Sequence, residues 1–269
     1  MKKNKEEEFL IKILFNNLEI NKEILNKINL GTLIKVASSH LMLPCLFHNL
    51  KIRNQVNLFP KDFTDYINEI FEINRNRNLL LVNEIKELNE IMNSVKLDFV
   101  FLKGSAMIIR KLYSDIGIRM IGDIDFLVNE KQIELTKDIL KKNNYDSNFE
   151  FKFIRSRHIK RRINKDKIFA LEPHTKLFDS KKILNEESFL FEKKFVDEIP
   201  VPNNKNLLLH NIYNYQINDH GKNKFAYSLK NAYDTKIIYE INKINLHDFK
   251  YDNMLKSYFY ILKQKKIVD

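Results

Sequence analysis

The scarcity and placement of glycine are the strongest constraint on this chain. Only five glycines occur among 269 residues, and three of them, Gly104, Gly117 and Gly122, lie within one short stretch. Glycine permits tight turns and close approach of the backbone to a ligand. The cluster therefore marks the first place to look for a ligand-binding turn.

Apolar periodicity divides the chain into three parts. From residue 6 to about 92 it is helical, and it predicts three or four helices, including one capped by Thr32, running through Leu43 and interrupted or kinked at Pro44. After Pro200 and Pro202 the helical period returns and predicts three more helices. Between these parts the pattern predicts short strands at 98–102, 124–128, 149–154 and 168–171, with helices at 105–112 and 132–142.

This order of elements predicts an α+β fold. We expect an N-terminal helical region (1–96), a core with a small mixed sheet and helices (97–200), and a C-terminal helical region (201–269).

Charge and composition limit the class of partner. The net charge of +11 suggests an anionic partner such as a nucleotide or nucleic acid. No run of about 18 apolar residues occurs, the N-terminus does not resemble a signal peptide, and the one cysteine, Cys45, cannot form a disulfide framework. We therefore expect a cytoplasmic protein with no membrane partner.

Two aspartates open the second predicted strand. Asp123 and Asp125 are one residue apart, so both side chains point to the same face of a strand. Two adjacent carboxylates repel each other unless a cation lies between them, and Mg²⁺ prefers such oxygen ligands. The pair therefore predicts a metal site.

Two further residues suit phosphate chemistry beside that pair. Gly104 and Ser105 follow the first predicted strand and open a helix, where free N–H groups and the helix dipole favour phosphate. A third carboxylate is expected on a neighbouring strand, and Glu172 is the candidate because it ends the apolar run at 168–171.

The combined pattern resembles a known bacterial family. Residues 102–106 (LKGSA), Tyr113, Arg119, residues 122–128 (GDIDFLV) and residues 172–174 (EPH) are similar to the family labelled uncharacterised nucleotidyltransferase. That family belongs to the superfamily of DNA polymerase β-type nucleotidyltransferases. The resemblance covers residues 97–178 well, and it implies a polymerase β-like core flanked by the helical regions.

The resemblance also implies a reaction and roles for residues. An acceptor hydroxyl would attack the α-phosphate of an NTP, and pyrophosphate would leave. Two Mg²⁺ ions, with Mn²⁺ as an alternative, would be held by Asp123, Asp125 and Glu172 as catalytic residues. The nucleotide-binding residues would be Lys103, Gly104, Ser105 and Arg119, although Arg119 could instead pair with an aspartate. Further candidates for substrate contact are His174, Lys230 and Asp234.

Several alternatives stay open at this stage. A degenerate relative could bind RNA or protein without catalysis, and a sugar-nucleotide glycosyltransferase is a weaker alternative for the Asp-x-Asp pair. The stretch 152–167 carries a net charge of +7 and could face a phosphate-bearing acceptor. Because no regular basic–aromatic platform is visible, a small-molecule or protein acceptor is slightly favoured over RNA.

Overall fold

Helices predominate in the fold, and the strands form small sheets. The computed structural model describes residues 5–146, 159–179, 184–221, 227–243 and 252–268. Within these residues the expected α+β class is confirmed. The helices are α1 (Lys5–Phe15), α2 (Lys22–Leu25), α3 (Leu30–Ser39), α4 (Leu43–Ile52), α5 (Lys61–Ser94), α6 (Lys103–Ile109), α7 (Ile133–Lys142), α8 (Glu186–Phe191), α9 (Asn204–Tyr213), α10 (Leu229–Asn242) and α11 (Asn253–Gln264). The strands are β1 (Phe99–Phe101), β2 (Asp123–Val128), β3 (Ala170–His174), β4 (Lys194–Val196) and β5 (Ile199–Val201).

Contacts between residues divide the chain into two units. The helical unit comprises Met1–Arg77, Tyr113–Met120 and Gly221–Asp269. The sheet unit comprises Asn78–Leu112 and Ile121–His220. Each unit joins stretches that are distant in sequence. The three regions that we expect from the sequence (1–96, 97–200 and 201–269) are consecutive, and they stay a prediction.

The longest helix, α5, carries the apolar stripe that the sequence predicts. Its buried positions recur every three or four residues, and they are polar in the middle of the helix, at Asn74 and Asn78. The apolar ones are Phe63, Ile67, Phe71, Leu81, Ile85, Leu88 and Met92. The apolar pattern of the sequence from 62 to 92 also places Tyr66 and Leu80 in this stripe, but they are 41% and 49% exposed. Each precedes a buried residue directly, so it points about 100° away around the helix axis.

Two details of the first helices correct the sequence predictions. The cap of α3 is Asn29 rather than Thr32, and the Asn29 side chain accepts a hydrogen bond from the Thr32 N–H at 2.8 Å. α3 ends at Ser39, and Pro44 lies in the first turn of a separate helix, α4. A proline is tolerated there because the N–H groups of the first turn have no partner within the helix.

The length and composition of α3 and α4 bear on whether a helix of this chain could cross a membrane. Among the described residues, no single helix is long and apolar enough to cross a membrane. α3 and α4 pass that test only as a pair, by length and composition, and the angle between them is 118°. Most of α4 is buried within the protein.

A mixed three-stranded sheet organises the sheet unit. Its order is β1-β2-β3, with β1 antiparallel and β3 parallel to the central strand β2. Phe101 lies opposite Phe126, and both side chains are fully buried. α6 begins directly after β1, since only Leu102 separates the two elements. The sheet therefore brings the start of α6 and the start of β2 into one region.

Three outcomes in this unit concern predicted or missed strands. β3 begins at Ala170, two residues later than expected, and it includes Glu172. The hairpin of β4 and β5 was not predicted. The strand predicted at 149–154 lies outside the described residues.

Candidate active site

The central strand β2 carries the two aspartates on one face of the sheet. Asp125 is 4% exposed and Asp123 is half-buried. Ile124 and Phe126 lie between and beyond them, point to the opposite face, and are fully buried in the core. A carboxylate as buried as Asp125 needs partners that compensate for its lost hydration.

Strand β3 supplies one such partner, His174, and a further carboxyl group, Glu172. Because β2 and β3 run parallel in register, Asp125 lies opposite Glu172 and Asp123 lies opposite Ala170. The Glu172 side chain interacts with that of Asp123, and each affects the pKa of the other. His174, two residues further along the same face of β3, places Nε2 2.8 Å from Asp125 Oδ1. The Glu-x-His spacing on β3 thus mirrors the Asp-x-Asp spacing on β2.

Lys103, the first residue of α6, supplies the remaining partner of Asp125. Its Nζ donates a hydrogen bond to Asp125 Oδ1 at 2.5 Å. The same oxygen therefore meets both the ammonium and the imidazole.

The pKa values of the three carboxyl groups diverge as a result. Burial would raise the pKa of Asp125, but the charges and hydrogen bonds of Lys103 and His174 hold it well below its usual range. Burial, followed by repulsion from Asp123 and Asp125, raises the pKa of Glu172 to about 7. Burial and the charge of Asp125 also raise the pKa of Asp123. One carboxylate is thus firmly ionised, and its neighbours hold protons more tightly.

This arrangement contains a set of atoms that could bind a metal ion. Ligand atoms of Asp125, Glu172 and His174 all lie within 4.8 Å of one another. Two carboxylates and an imidazole form a donor set that suits Mn²⁺, while oxygen ligands alone suit Mg²⁺. The ligand atoms of Asp125, Glu172 and His174 therefore fit a divalent cation, and the all-oxygen set of Asp123, Asp125 and Glu172 stays a prediction.

The first turn of α6 has two features that bear on phosphate binding. Ser105 is 1% exposed, and its Oγ has no hydrogen-bond partner among the described residues. A bound phosphate oxygen would satisfy such a hydroxyl. Gly104 packs closely on Ile121, since a Cβ added at Gly104 would lie 2.9 Å from Ile121 Cγ1. The close approach explains this glycine without a positive φ, which belongs instead to Lys103 at 48°.

The described part of the basic stretch runs beside β3. Arg162 exchanges two backbone hydrogen bonds with Leu171, at 3.0 and 2.8 Å. Arg161 is exposed, and its charge lowers the pKa of Asp123, although burial dominates and raises it. Arg161 therefore has an electrostatic link to the acidic site. The part of the stretch at 152–158 lies outside the described residues.

Two other predicted residues meet each other in the helical unit. Arg119 Nε lies 3.0 and 2.9 Å from the two carboxylate oxygens of Asp234, and the Tyr113 hydroxyl donates to Asp234 Oδ1 at 2.6 Å. The side chains of Arg119 and Asp234 are 11% and 2% exposed. Arg119 thus pairs with an aspartate, which was one of its two expected roles. Contact of Arg119, Lys230 or Asp234 with a substrate stays a prediction.

Sequence reasoning missed two contacts of the site. The sequence analysis assigned Lys103 only to phosphate binding, whereas in the structure the Lys103 ammonium pairs with the Asp125 carboxylate. It named His174 as a possible substrate contact but did not connect it with Asp125. The equal two-residue spacing of Asp123 and Asp125 and of Glu172 and His174 was the available signal.

The protein has an α+β fold, and its carboxylate–histidine cluster is a candidate metal site. The profile of the family described as "Uncharacterised nucleotidyltransferase" matches residues 26–252. The chain therefore belongs to this family of nucleotidyltransferases, which confirms the resemblance drawn from the motifs. A search of curated proteins found no match.

Proposed function

We propose that this protein is a metal-dependent nucleotidyltransferase that moves a nucleoside monophosphate from an NTP to an acceptor hydroxyl. The proposal is supported chiefly by the cluster of Asp125, Glu172 and His174 in a chain of a nucleotidyltransferase family. The acceptor hydroxyl gives up its proton to solvent, its oxygen forms a bond to the α-phosphorus, the bond from this phosphorus to the bridging oxygen breaks, and pyrophosphate leaves.

Each residue of the site has a part in this reaction. Asp123, Asp125 and Glu172 would hold one or two divalent ions, with Mg²⁺ as the first candidate and Mn²⁺ favoured if His174 joins the ligands. Such ions supply charge stabilisation for the phosphates and favour the ionised acceptor hydroxyl. Lys103 and Ser105 bind the β- and γ-phosphates, and Gly104 lets the chain pack closely at this turn. His174 orients the Asp125 carboxylate through its hydrogen bond.

We also propose that the sheet unit is a polymerase β-like core. Support comes from the mixed sheet, from the acidic residues on two adjacent parallel strands, and from the Gly104-Ser105 turn that follows β1. The proposed acceptor is a small molecule or a protein, and RNA is the alternative that the basic stretch keeps open. A cytoplasmic location stays a prediction.

Labelled nucleotides test the reaction directly. The protein is incubated with a cell extract, a divalent salt and each NTP in turn, labelled at either the α- or the γ-phosphate. We expect the α-label to enter a larger product and the γ-label to appear in pyrophosphate.

A matched pair of variants controls this experiment. Asp125→Asn should remove the labelled product, whereas Asp138→Asn, at an exposed position on α7, should retain it. The proposed reaction is wrong if wild type and Asp125→Asn give equal labelling with every NTP, or if the γ-label enters the product.

A further inference from the structure

The backbone directs Lys103 towards the acidic site. The Leu102 N–H donates to the Asp125 carbonyl oxygen at 2.9 Å, which continues the pairing of β1 with β2 by one residue. Lys103 then adopts a φ of 48°, a left-handed conformation that is unusual for a residue with a side chain. The lysine is thus the point at which the chain turns from β1 into α6.

The Lys103 ammonium neutralises part of an excess of negative charge. It lies 2.5 Å from Asp125 Oδ1, and its charge also interacts with Glu172 and Asp123. The Lys103 side chain is 29% exposed and that of Asp125 is 5% exposed. Solvent therefore screens their attraction incompletely.

A divalent ion on Asp125 would meet this ammonium at close range. Two cations sharing one carboxylate repel each other, and the repulsion is largest where water is excluded. An NTP changes the balance, because its triphosphate offers the ammonium several anionic oxygens close to the metal. The lysine is long and flexible enough to change partner without movement of the backbone.

We propose that Lys103 is a tethered cation that competes with the divalent metal for Asp125 in the nucleotide-free protein and moves to the NTP phosphates when metal and nucleotide bind together. This inference rests on the proposed function, since it needs metal and nucleotide at the same site. It makes free metal bind weakly and makes metal and nucleotide bind cooperatively. The protein thereby selects the metal–nucleotide complex over the metal alone.

Removing the ammonium should change the two affinities in opposite directions. In Lys103→Met, Mn²⁺ alone should bind about tenfold more tightly, a change of about 1.4 kcal/mol. The complex of Mn²⁺ with the α,β-methylene analogue of the NTP should bind at least about tenfold more weakly. Calorimetric titration measures both, and Lys142→Met, at an exposed position on α7, controls for loss of one positive charge. A purely structural lysine would weaken both affinities together, which would overturn the inference.

A second measurement on the wild-type protein avoids dependence on the folding of the variant. Acetylation of lysines by an amine-reactive reagent, followed by mass spectrometry, reports the accessibility of Lys103 Nζ. We expect slow labelling of the free protein, faster labelling with Mn²⁺ alone, and slow labelling again with Mn²⁺ and the NTP analogue. Lys142 should label equally in all three states. Unchanged labelling of Lys103 on adding Mn²⁺ would overturn the inference.

These experiments distinguish failure of the proposed function from failure of the inference about Lys103. The α,β-methylene analogues of all four common NTPs are tried with Mn²⁺. If the wild-type protein binds none of them, the proposed function fails, and the inference fails with it. If wild type binds them but Lys103→Met shifts both affinities in the same direction, only the inference fails.

Discussion

Two buried ionic clusters, one in each unit, differ in how completely their charges are compensated. In the helical unit, the single carboxylate of Asp234 meets one guanidinium, from Arg119, and one phenol, from Tyr113. In the sheet unit, three carboxyl groups lie near one ammonium, from Lys103, which is hydrogen-bonded to Asp125 alone of the three, and His174 is a second partner of Asp125. The first cluster is balanced, and the second has an excess of negative charge.

We interpret the balanced cluster of the helical unit as structural and the unbalanced cluster of the sheet unit as functional. In a balanced buried pair each charge already has its counter-charge, and removing one partner leaves an isolated buried charge. An unbalanced acidic cluster is stabilised by any cation that fits it, so it is prepared for a metal ion. We therefore expect the same Asp→Asn change to reduce activity in the sheet unit and stability in the helical unit.

The largest expected effect is on turnover in Asp125→Asn. This change removes a proposed metal ligand and the partner of Lys103 and His174, so nucleotidyl transfer should fall by about 10³-fold or more. Steady-state assays measure the loss, and circular dichroism checks that the fold is retained. Turnover within tenfold of wild type would show that Asp125 does not hold the metal.

The corresponding change in the helical unit should act on stability. Asp234→Asn leaves the buried Arg119 guanidinium without its counter-charge, and the free energy of unfolding should fall by about 3–5 kcal/mol. Urea denaturation measures it. The exposed Asp65, which pairs with Lys61 at 3.8 Å, is the matched control, and Asp65→Asn should cost less than about 0.5 kcal/mol. An equally small loss in Asp234→Asn would contradict the structural role.

Glu172→Gln should separate chemistry from nucleotide binding. The amide cannot ligate a metal as an anion, so turnover should fall by about 10²–10⁴-fold while the NTP still binds through Lys103 and Ser105. Kinetics and calorimetry on the same variant measure the two effects, with the exposed Glu134→Gln as the control. Near-normal turnover in Glu172→Gln would place the third carboxylate elsewhere. The next residues to change would be Asp179 and Glu150, of which Glu150 lies outside the described residues.

Stability without metal should depend on pH through Glu172. Its pKa in the folded protein, about 7, lies above the value of about 4.3 in an unfolded chain, so folding favours its protonated form. Its contribution is complete below about pH 4.3 and is lost as the pH rises through about 7. Asp125 acts in the opposite sense. Because its pKa is lowered in the folded protein, its contribution to stability is lost only when the pH falls into the acid range.

Unfolding in urea with a chelator between pH 5 and about 8 measures this dependence. We expect wild type to lose stability across the range and Glu172→Gln to lose less. Excess Mn²⁺ should flatten the wild-type curve, because the metal replaces the proton on Glu172. Parallel curves for the two proteins would contradict the raised pKa.

The elements that sequence analysis predicted well have strong local patterns. α5 shows helical periodicity on both sides of Asn74 and Asn78, and β2 is an apolar run that opens with two aspartates. The shared face of Asp123 and Asp125 followed from the alternation of side chains along a strand. Local pattern was thus enough to locate one edge of the site.

What escaped prediction depends on turns or on distant contacts. The hairpin of β4 and β5 has a two-residue turn, Asp197 and Glu198, with φ of 49° and 64°. Such turns normally contain Asn or Gly, so a glutamate gives no turn signal. The contact of Tyr113 with Asp234 joins residues that are 121 positions apart. No local pattern reports a pairing over that distance.

The most direct test of the central claim, that the acidic cluster of the sheet unit binds metal and nucleotide, is the free energy of unfolding with and without Mg²⁺ and a non-hydrolysable NTP. Ligand at ten times its Kd should stabilise the wild-type protein by about 1.4 kcal/mol. Asp123→Asn combined with Asp125→Asn should lose this gain, since the double variant lacks two of the three carboxylates. Equal stabilisation of the wild-type protein and the double variant would contradict the account.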